Sequence, residues 1–521
     1  QITSPKIYTE RNSVFQADRS PDSKFTAACN IAENASKLGI CLFQHKYEDA
    51  HEVGGERPGA RDDAYPGSFE KCSLLTSLLT NFGLYVLMLL GFINQLLFTP
   101  RVATETNREG YAALYDPFEQ FYSRYVYRRV RHCFNRPLAS APGAQLVLKE
   151  RETRDYNWSF RFTGTERACI NLGSYNYLGF AEGAGSATED AVRAAVRRYG
   201  LALCSPRAEL GTTPLHLELE RTIADFLGVE AAMVVGMGFA TNVLSLPGLL
   251  GPGVLALSDE NNHASLILGL RMSRATVRVF RHNDRRVRGV SQVVEGVYSM
   301  EGSICPLRAL VALRRRLGLQ LYLDEAHSVG ALGPRGRGVT DYAGVDPADV
   351  DVLMGTFTKS FGAAGGYIAG DYPSLTSGHA HTYAHAMSPP VAAQVLAATR
   401  ALSAPAGLAR VRALRDNTHY FRRRLRAMGV VTFGHEDSPV VPLLVYTFSK
   451  MAATVERLTA RGVATVGVGF PATPLSMARI RFCLSSAHSR EQLQRCLAAI
   501  EEVVDELGLR YSRRPRPAPP A

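Results

Sequence analysis

From Ile170 to about Gly370, apolar residues gather into short β-rich runs: AAMVV, VLAL, TVRVF, LYLD, DVLMG and GGYIAG. Between them lie longer stretches with helical spacing, such as PLHLELERTIADFLG (214–228) and NHASLILGLRM (262–272). This alternation predicts a mostly parallel sheet covered by helices. After Pro389 the rhythm changes. Helical patterns over 389–428, strands around PVVPLLVY and ARIRFCLS, and a closing helix near 489–507 predict a smaller α+β domain.

Upstream, the run from Cys72 to Pro100 carries no charged residue. It is long enough to span a hydrocarbon core as a helix, yet Thr76, Thr80, Asn81, Asn94 and Gln95 also allow a buried core helix. Arg101, Arg108, Arg124, Arg128, Arg129 and Arg131 follow with few acids nearby, which predicts a cytosolic side for everything downstream. The expected organisation is a poorly ordered polar extension over 1–68, a membrane helix over 69–100 and an N-terminal arm over 101–168. A large domain over 169–390, a small one over 391–510 and a disordered proline-rich tail over 511–521 complete it.

Composition narrows the classes. Of 521 residues 46% are hydrophobic, so the chain buries at least one large core. The net charge of +11 falls in scattered clusters such as Arg314-Arg315-Arg316 and Arg422-Arg423-Arg424, with no aromatic-interleaved basic motif, which argues against nucleic acid as a partner. Nine irregularly spaced cysteines without a CxxC pair point to reduced thiols and to no metal site.

Candidate chemistry centres on GTFTKSFGAAGG (355–366), where Lys359 follows an apolar strand and precedes a glycine-rich turn. Such a lysine either cradles phosphate or sits at the surface, or it forms a Schiff base with a carbonyl cofactor. The P-loop order is absent because Lys359 lies before the glycines. Thr356 and Thr358 place hydroxyls beside it, as a phosphate-bearing aldehyde requires. In LYLDEAHSVG, Asp324 closes a strand and His327 follows three residues later. A carboxylate there can keep a pyridinium nitrogen protonated, and His327 can bond the ring's phenolic oxygen; a helix N-cap is the plainer role for Asp324. His263, opening the helix of DENNHASLILG, can stack on an aromatic cofactor or simply cap the helix. GMGFATN (236–242) is a glycine-rich turn whose backbone N–H groups can bind a phosphate at a helix N-terminus.

Together GSYNYLGF, GMGFATN, NNHASLILG, YSMEGS, LYLDEAHSVGALGPRGRG, GTFTKSFGAAGGYIAG and GFPATPLSMARIRFCLSSAH strongly resemble the α-oxoamine synthases. These are pyridoxal-phosphate enzymes of fold type I. Within them the chain is most similar to the lysine-bearing long-chain-base subunits (subunit 2 or 3 type) of serine palmitoyltransferase, over roughly residues 69–512. The resemblance implies an α/β fold type I transferase with a large mostly parallel-sheet domain, a smaller C-terminal α+β domain and an N-terminal membrane helix. It implies pyridoxal phosphate held by Lys359, with His263 on the ring, Asp324 on the pyridine nitrogen and His327 on the phenolic oxygen. Gly238, Phe239, Thr356 and Thr358 seat the phosphate, while Arg481 grips the amino-acid carboxylate and Asn176 and Tyr177 line the substrate side. Trp158 is read as a packing residue.

The implied reaction condenses L-serine with a long-chain acyl-CoA, with loss of carbon dioxide. The implied setting is the endoplasmic reticulum membrane, with the catalytic domain facing the cytosol. A lysine-lacking subunit 1 type partner, small activating subunits and Orm-family regulators are the implied partners. The chain departs from the family between TVRVF and VVEGVYSMEG, where only RHNDRRVRGVSQ remains of a longer connection, which places Ser299 and Met300 in question. A non-catalytic or impaired subunit of the same complex and another α-oxoamine synthase are the competing readings.

Overall fold

The structure, a computed structural model, describes residues 73–98, 121–181, 188–284, 291–371 and 378–515. The extension expected over 1–68, residues 101–120 of the arm and the last residues of the tail lie outside them.

Helix α1 (Leu74–Phe98) is uncharged throughout. It is long and apolar enough to cross a membrane over Leu74–Asn94, and only 17% of that window is buried in protein. That exposure makes α1 a candidate membrane helix and leaves little of it packed in this chain's own core. A hairpin follows, β1 (Gln145–Glu152) with β2 (Arg161–Asn171), antiparallel.

The large sheet is assembled with helices between its strands. After α2 (Glu189–Tyr199) and α3 (Pro214–Leu227) come β3 (Ala231–Val235), α4 (Gly238–Leu249), β4 (Leu255–Asp259), α5 (Ala264–Ser273) and β5 (Thr276–Phe280). Then follow β6 (Ser291–Glu295), α6 (Leu307–Leu317), β7 (Gln320–Asp324), β8 (Val352–Thr356) and β9 (Gly366–Gly370). The strand order is β3-β9-β8-β7-β6-β4-β5. Only β9 runs antiparallel, to β3 and β8. Every residue of β6, β8 and β9 is buried, as expected where helices cover both faces of a sheet.

Strands β5 and β6, read from the sequence as neighbours with too short a crossover, are not neighbours. Strand β4 lies between them and pairs in parallel with both. The connection still lacks a described helix, and β5 is left as an edge strand with four of its five residues exposed.

Beyond the large sheet, α7 (Pro389–Ser403) and α8 (Pro405–Ala427) lead into β10 (Val440–Tyr446), α9 (Phe448–Ala460), β11 (Val463–Ala464), β12 (Val466–Val468), β13 (Ala478–Cys483) and α10 (Arg490–Leu507). Strands β10, β13 and β12 form an antiparallel sheet. Strand β11 instead joins the hairpin by pairing in parallel with β2. The cysteines among the described residues are all free.

Candidate active site

In parallel sheets, ligands bind beyond the carboxyl ends of the strands, where helix N-termini also converge. Here those ends carry Asp259 (β4), Glu295 (β6), Asp324 (β7) and Thr356 (β8), with the N-termini of α4 and α5 beside them.

Lys359 lies three residues past β8. Phe357 and Phe361 flank it, fully buried, with ring centroids 5.5 Å apart, and Phe357 is 5.4 Å from Tyr367. Gly362, at φ +60°, brings the turn onto Phe180 and Ala181, where a Cβ would meet backbone atoms at 2.4 Å. The lysine is thus held on a rigid turn. Its amine has no hydrogen-bond or ion-pair partner among the described residues and lies 5.8 Å from the ring centre of Tyr175. Burial pulls its pKa down to about 8, although Asp324 and Glu295 oppose the fall.

Asp324 accepts from the backbone N–H of Ala326 at 2.9 Å, an Asx-type turn, and from Asn242 Nδ2 at 2.8 Å. Asn242 also donates to Ser265 Oγ (2.9 Å) and accepts from Tyr322 Oη (2.8 Å). Ser265 Oγ lies 2.7 Å from His263 Nδ1, which also accepts from the Ser265 backbone N–H. His263 therefore caps α5 through Nδ1, which leaves Nε2 to carry the proton of the neutral ring. Capping and cofactor contact, weighed as alternatives from the sequence, are compatible in one residue. Burial keeps the ring neutral by lowering its pKa.

His327 is buried, and burial lowers its pKa well below the usual imidazole range. Its Nδ1 lies 2.8 Å from Tyr177 Oη. The Tyr177 residue is fully buried, and burial raises its pKa well above the ordinary value, so the hydroxyl keeps its proton and shares one hydrogen bond with His327 Nδ1. Tyr177 thus sits behind His327. Asn176 is also tied to the scaffold, donating to Pro142 O (3.1 Å) and accepting from the Ala181 N–H (3.1 Å).

Arg481, on β13, is buried and stacks on Tyr175, with Cζ 4.4 Å from the ring centre. Among the described residues no carboxylate pairs with it; its contacts are to sulfur, Nη1 lying 3.7 Å from Met300 Sδ and the side chain also bonding Cys483, and Nε has no acceptor. A buried guanidinium without a counter-charge suits an incoming carboxylate. Tyr175 thus carries Lys359 on one side and Arg481 on another.

The phosphate cup can be tested for fit. Helix α4 starts at Gly238 without a side-chain cap, so its first N–H groups are available. A Cβ on Gly238 would meet Thr356 Oγ1 at 2.6 Å, so only glycine leaves that space open. Thr356 and Thr358 hydroxyls lie 2.7 Å apart, Thr356 also donating to Gly365 O at 2.9 Å. Phe239 packs edge-on to His263, 6.0 Å between centroids. Unpaired amine, helix N-terminus, two hydroxyls and a strand-end carboxylate fit pyridoxal phosphate.

Three contributors escape sequence reasoning: Tyr175, Asn242 and Glu295. Glu295 is aligned with Asp324 across the sheet and accepts the His263 backbone N–H at 2.5 Å. Its carboxyl pKa is raised well above the ordinary range by burial and by Asp324. A signal existed, since SQVVE ends in an acid as QLYLD does. Ser299 and Met300, placed in question by the shortened connection, are seated: Arg479 Nη1 donates to Met300 O at 2.9 Å, and Ser299 is buried beside Tyr175.

A mostly parallel sheet with this lysine, aspartate and helix-end cup defines a pyridoxal-phosphate-dependent transferase of fold type I. The family model for aminotransferase class I and II matches residues 167–500. Serine palmitoyltransferase 3 of Homo sapiens is 43% identical over 523 residues, 94% of this chain and 94% of the relative. Serine palmitoyltransferase 2 of Caenorhabditis elegans is 39% identical over 504 residues, 89% of this chain and 90% of the relative. A solved structure described as SPT with PLP internal aldimine aligns with a TM-score of 0.67 at 25% identity, covering 76% of this chain and 100% of the other. The chain belongs to the serine palmitoyltransferase family.

Proposed function

We propose that this chain is the catalytic subunit of a serine palmitoyltransferase, condensing L-serine with a long-chain acyl-CoA, with loss of carbon dioxide, to 3-ketosphinganine, the first step of sphingolipid synthesis. The observation that carries this reading is the amine of Lys359 at the strand ends, without a hydrogen-bond or ion-pair partner among the described residues, sharing Tyr175 with the guanidinium of Arg481, which no described carboxylate pairs with. A subunit with a purely scaffolding role has no use for either.

When bound, pyridoxal phosphate supplies a protonated ring that takes up the electron pair left at the amino acid's Cα. Lys359 would hold the cofactor's aldehyde, and its neutral amine would serve as the base for the Cα proton of serine. Asp324, oriented by the Asn242 bond, would pair with the cofactor's ring nitrogen. His263 would lie against the ring, and His327, held by Tyr177, would serve as its partner for the phenolic oxygen. The α4 N-terminus, Gly238, Phe239, Thr356 and Thr358 bind the phosphate. Arg481 holds the serine carboxylate, and Asn176 braces the SYNYLG loop behind it.

The acyl substrate and the product both partition into lipid, so an anchor such as α1 shortens their transfer. The reading extends to the endoplasmic reticulum membrane with the catalytic body on its cytosolic face. It also includes a lysine-lacking subunit 1 type partner, small activating subunits and Orm-family regulators. Support for these comes from the family resemblance and the apolar helix.

The test is co-expression with a lysine-lacking partner subunit and an assay for labelled serine entering long-chain base. Product that disappears in Lys359→Ala is expected. A folded complex that makes no product, and in which borohydride fixes nothing on Lys359, would instead identify a non-catalytic subunit. Incorporation of glycine but not serine would indicate another α-oxoamine synthase.

A further inference from the structure

Trp158, expected to be a packing residue, is 57% exposed. It lies at the tip of the β1–β2 hairpin with Tyr156 (88% exposed) and, at the start of β2, Phe162 (63% exposed). Arginines from neighbouring segments stack on the rings of this loop: Arg128 Cζ lies 4.4 Å over Trp158, and Arg151 Cζ lies 4.0 Å over Phe160. Arg154 and Arg161 are exposed beside them. The nearby acids are engaged, Asp155 with Ser159 and Thr153, and Glu152 with Arg154.

The tip is also held in place. Asn157, buried at φ +68°, donates to Arg128 O and Arg129 O, while Arg131 Nη1 donates to Asn157 O and Trp158 O. That 128–131 segment directly continues the π-helical turn Ser123–Tyr127. The same turn leans on α1, where Phe92 stacks on Phe121 at 4.1 Å and Gly91 abuts Phe121 and Tyr125. Hairpin tip and membrane helix are thus linked by one short continuous run of packed residues.

We infer that the β1–β2 tip is a second membrane contact, an interfacial surface for anionic phospholipid headgroups beside the α1 anchor. Exposed rings of Trp and Tyr beside guanidiniums match the headgroup layer, apolar on one side and negatively charged on the other. Trp, Tyr and Arg are also common at protein interfaces, so the choice of lipid over a protein partner rests on the tip's packed continuity with the apolar helix α1. The inference rests on α1 being embedded in a bilayer.

Trp158 is the chain's one tryptophan, so its fluorescence reports the tip without a label. The full chain is reconstituted into phosphatidylcholine vesicles with and without phosphatidylserine. With phosphatidylserine, Trp158 emission should shift to the blue and lose quenching by acrylamide. Lipids brominated near the headgroup should quench it more than lipids brominated near the acyl terminus. Added salt and the double variant Arg154→Glu, Arg161→Glu should reverse the shift, and cofactor absorbance checks that the variant is folded.

Equal acrylamide quenching in both vesicles overturns the inference. Shielding that appears only with a partner subunit, without lipid quenching, overturns it in favour of a protein interface. A chain that floats with vesicles while Trp158 stays wet removes the tip contact alone, whereas a chain that does not float removes the anchor as well.

Discussion

An amine surrounded by protein at the end of β8 loses the hydration that stabilises its charge, and the Lys359 pKa falls from 10.5 to about 8; Asp324 and Glu295 pull it back and Arg481 adds to the fall. Carrying the charge there costs roughly 3 kcal/mol more than in water. The neutral amine attacks an aldehyde, so below about pH 8 the reactive fraction falls tenfold per pH unit, and above it the fraction is constant. The initial rate of pyridoxal-phosphate capture by cofactor-free chain, followed by borohydride trapping, should rise to a plateau near pH 8. A rate still climbing at pH 10 would mean an ordinary exposed lysine. Lys359, Asp324 and His327 were legible because each interrupts an apolar strand or follows its end. Glu295 had the same strand-end signal in SQVVE; Tyr175 and Asn242 had none, because their importance lies in partners distant in the chain, and no local pattern encodes the bond from Asn242 to Asp324.

Helix α4 shows what a single element contributes. Its start has no side-chain cap, and Gly238, lacking a Cβ, lies close against Thr356. Gly238→Ala raises helix propensity slightly but drives a methyl into Thr356 Oγ1. Losing one or two charge-assisted hydrogen bonds at about 1.5–3 kcal/mol each weakens cofactor affinity by about ten- to a hundredfold or more. Absorbance titration with pyridoxal phosphate measures this, and unchanged affinity would mean the phosphate is held elsewhere. The central strands were readable because continuous burial makes them apolar runs: DVLMG and GGYIAG match β8 and β9 closely. The β1–β2 hairpin was not, since its buried positions are few, Leu146 and Leu148 on β1 and the last three residues of β2. Nor was β11, two residues long and defined only by pairing with β2.

At the scale of the molecule, the uncharged α1 is seated on the catalytic body by its C-terminal third. Gly91 lets Phe121 approach so closely that a Cβ would lie 2.8 Å from its ring, and the neighbouring Tyr122 donates from Oη to Phe470 O at 3.1 Å. Phe470 belongs to the segment that leads into β13 and Arg481, so the anchor and the carboxylate-binding strand are joined through one aromatic cluster, Tyr122 packing edge-on against Phe470 at 4.8 Å. Gly91→Leu overpacks this joint, at a cost of about 1–3 kcal/mol to docking, without touching the cofactor cup. Cofactor capture should therefore remain unchanged. Turnover of a long-chain acyl-CoA delivered in vesicles should fall relative to a short, water-soluble one, because the body no longer sits in a fixed attitude to the bilayer. An unchanged ratio would show that α1 is a tether only and that its contact with Phe121 carries no functional coupling.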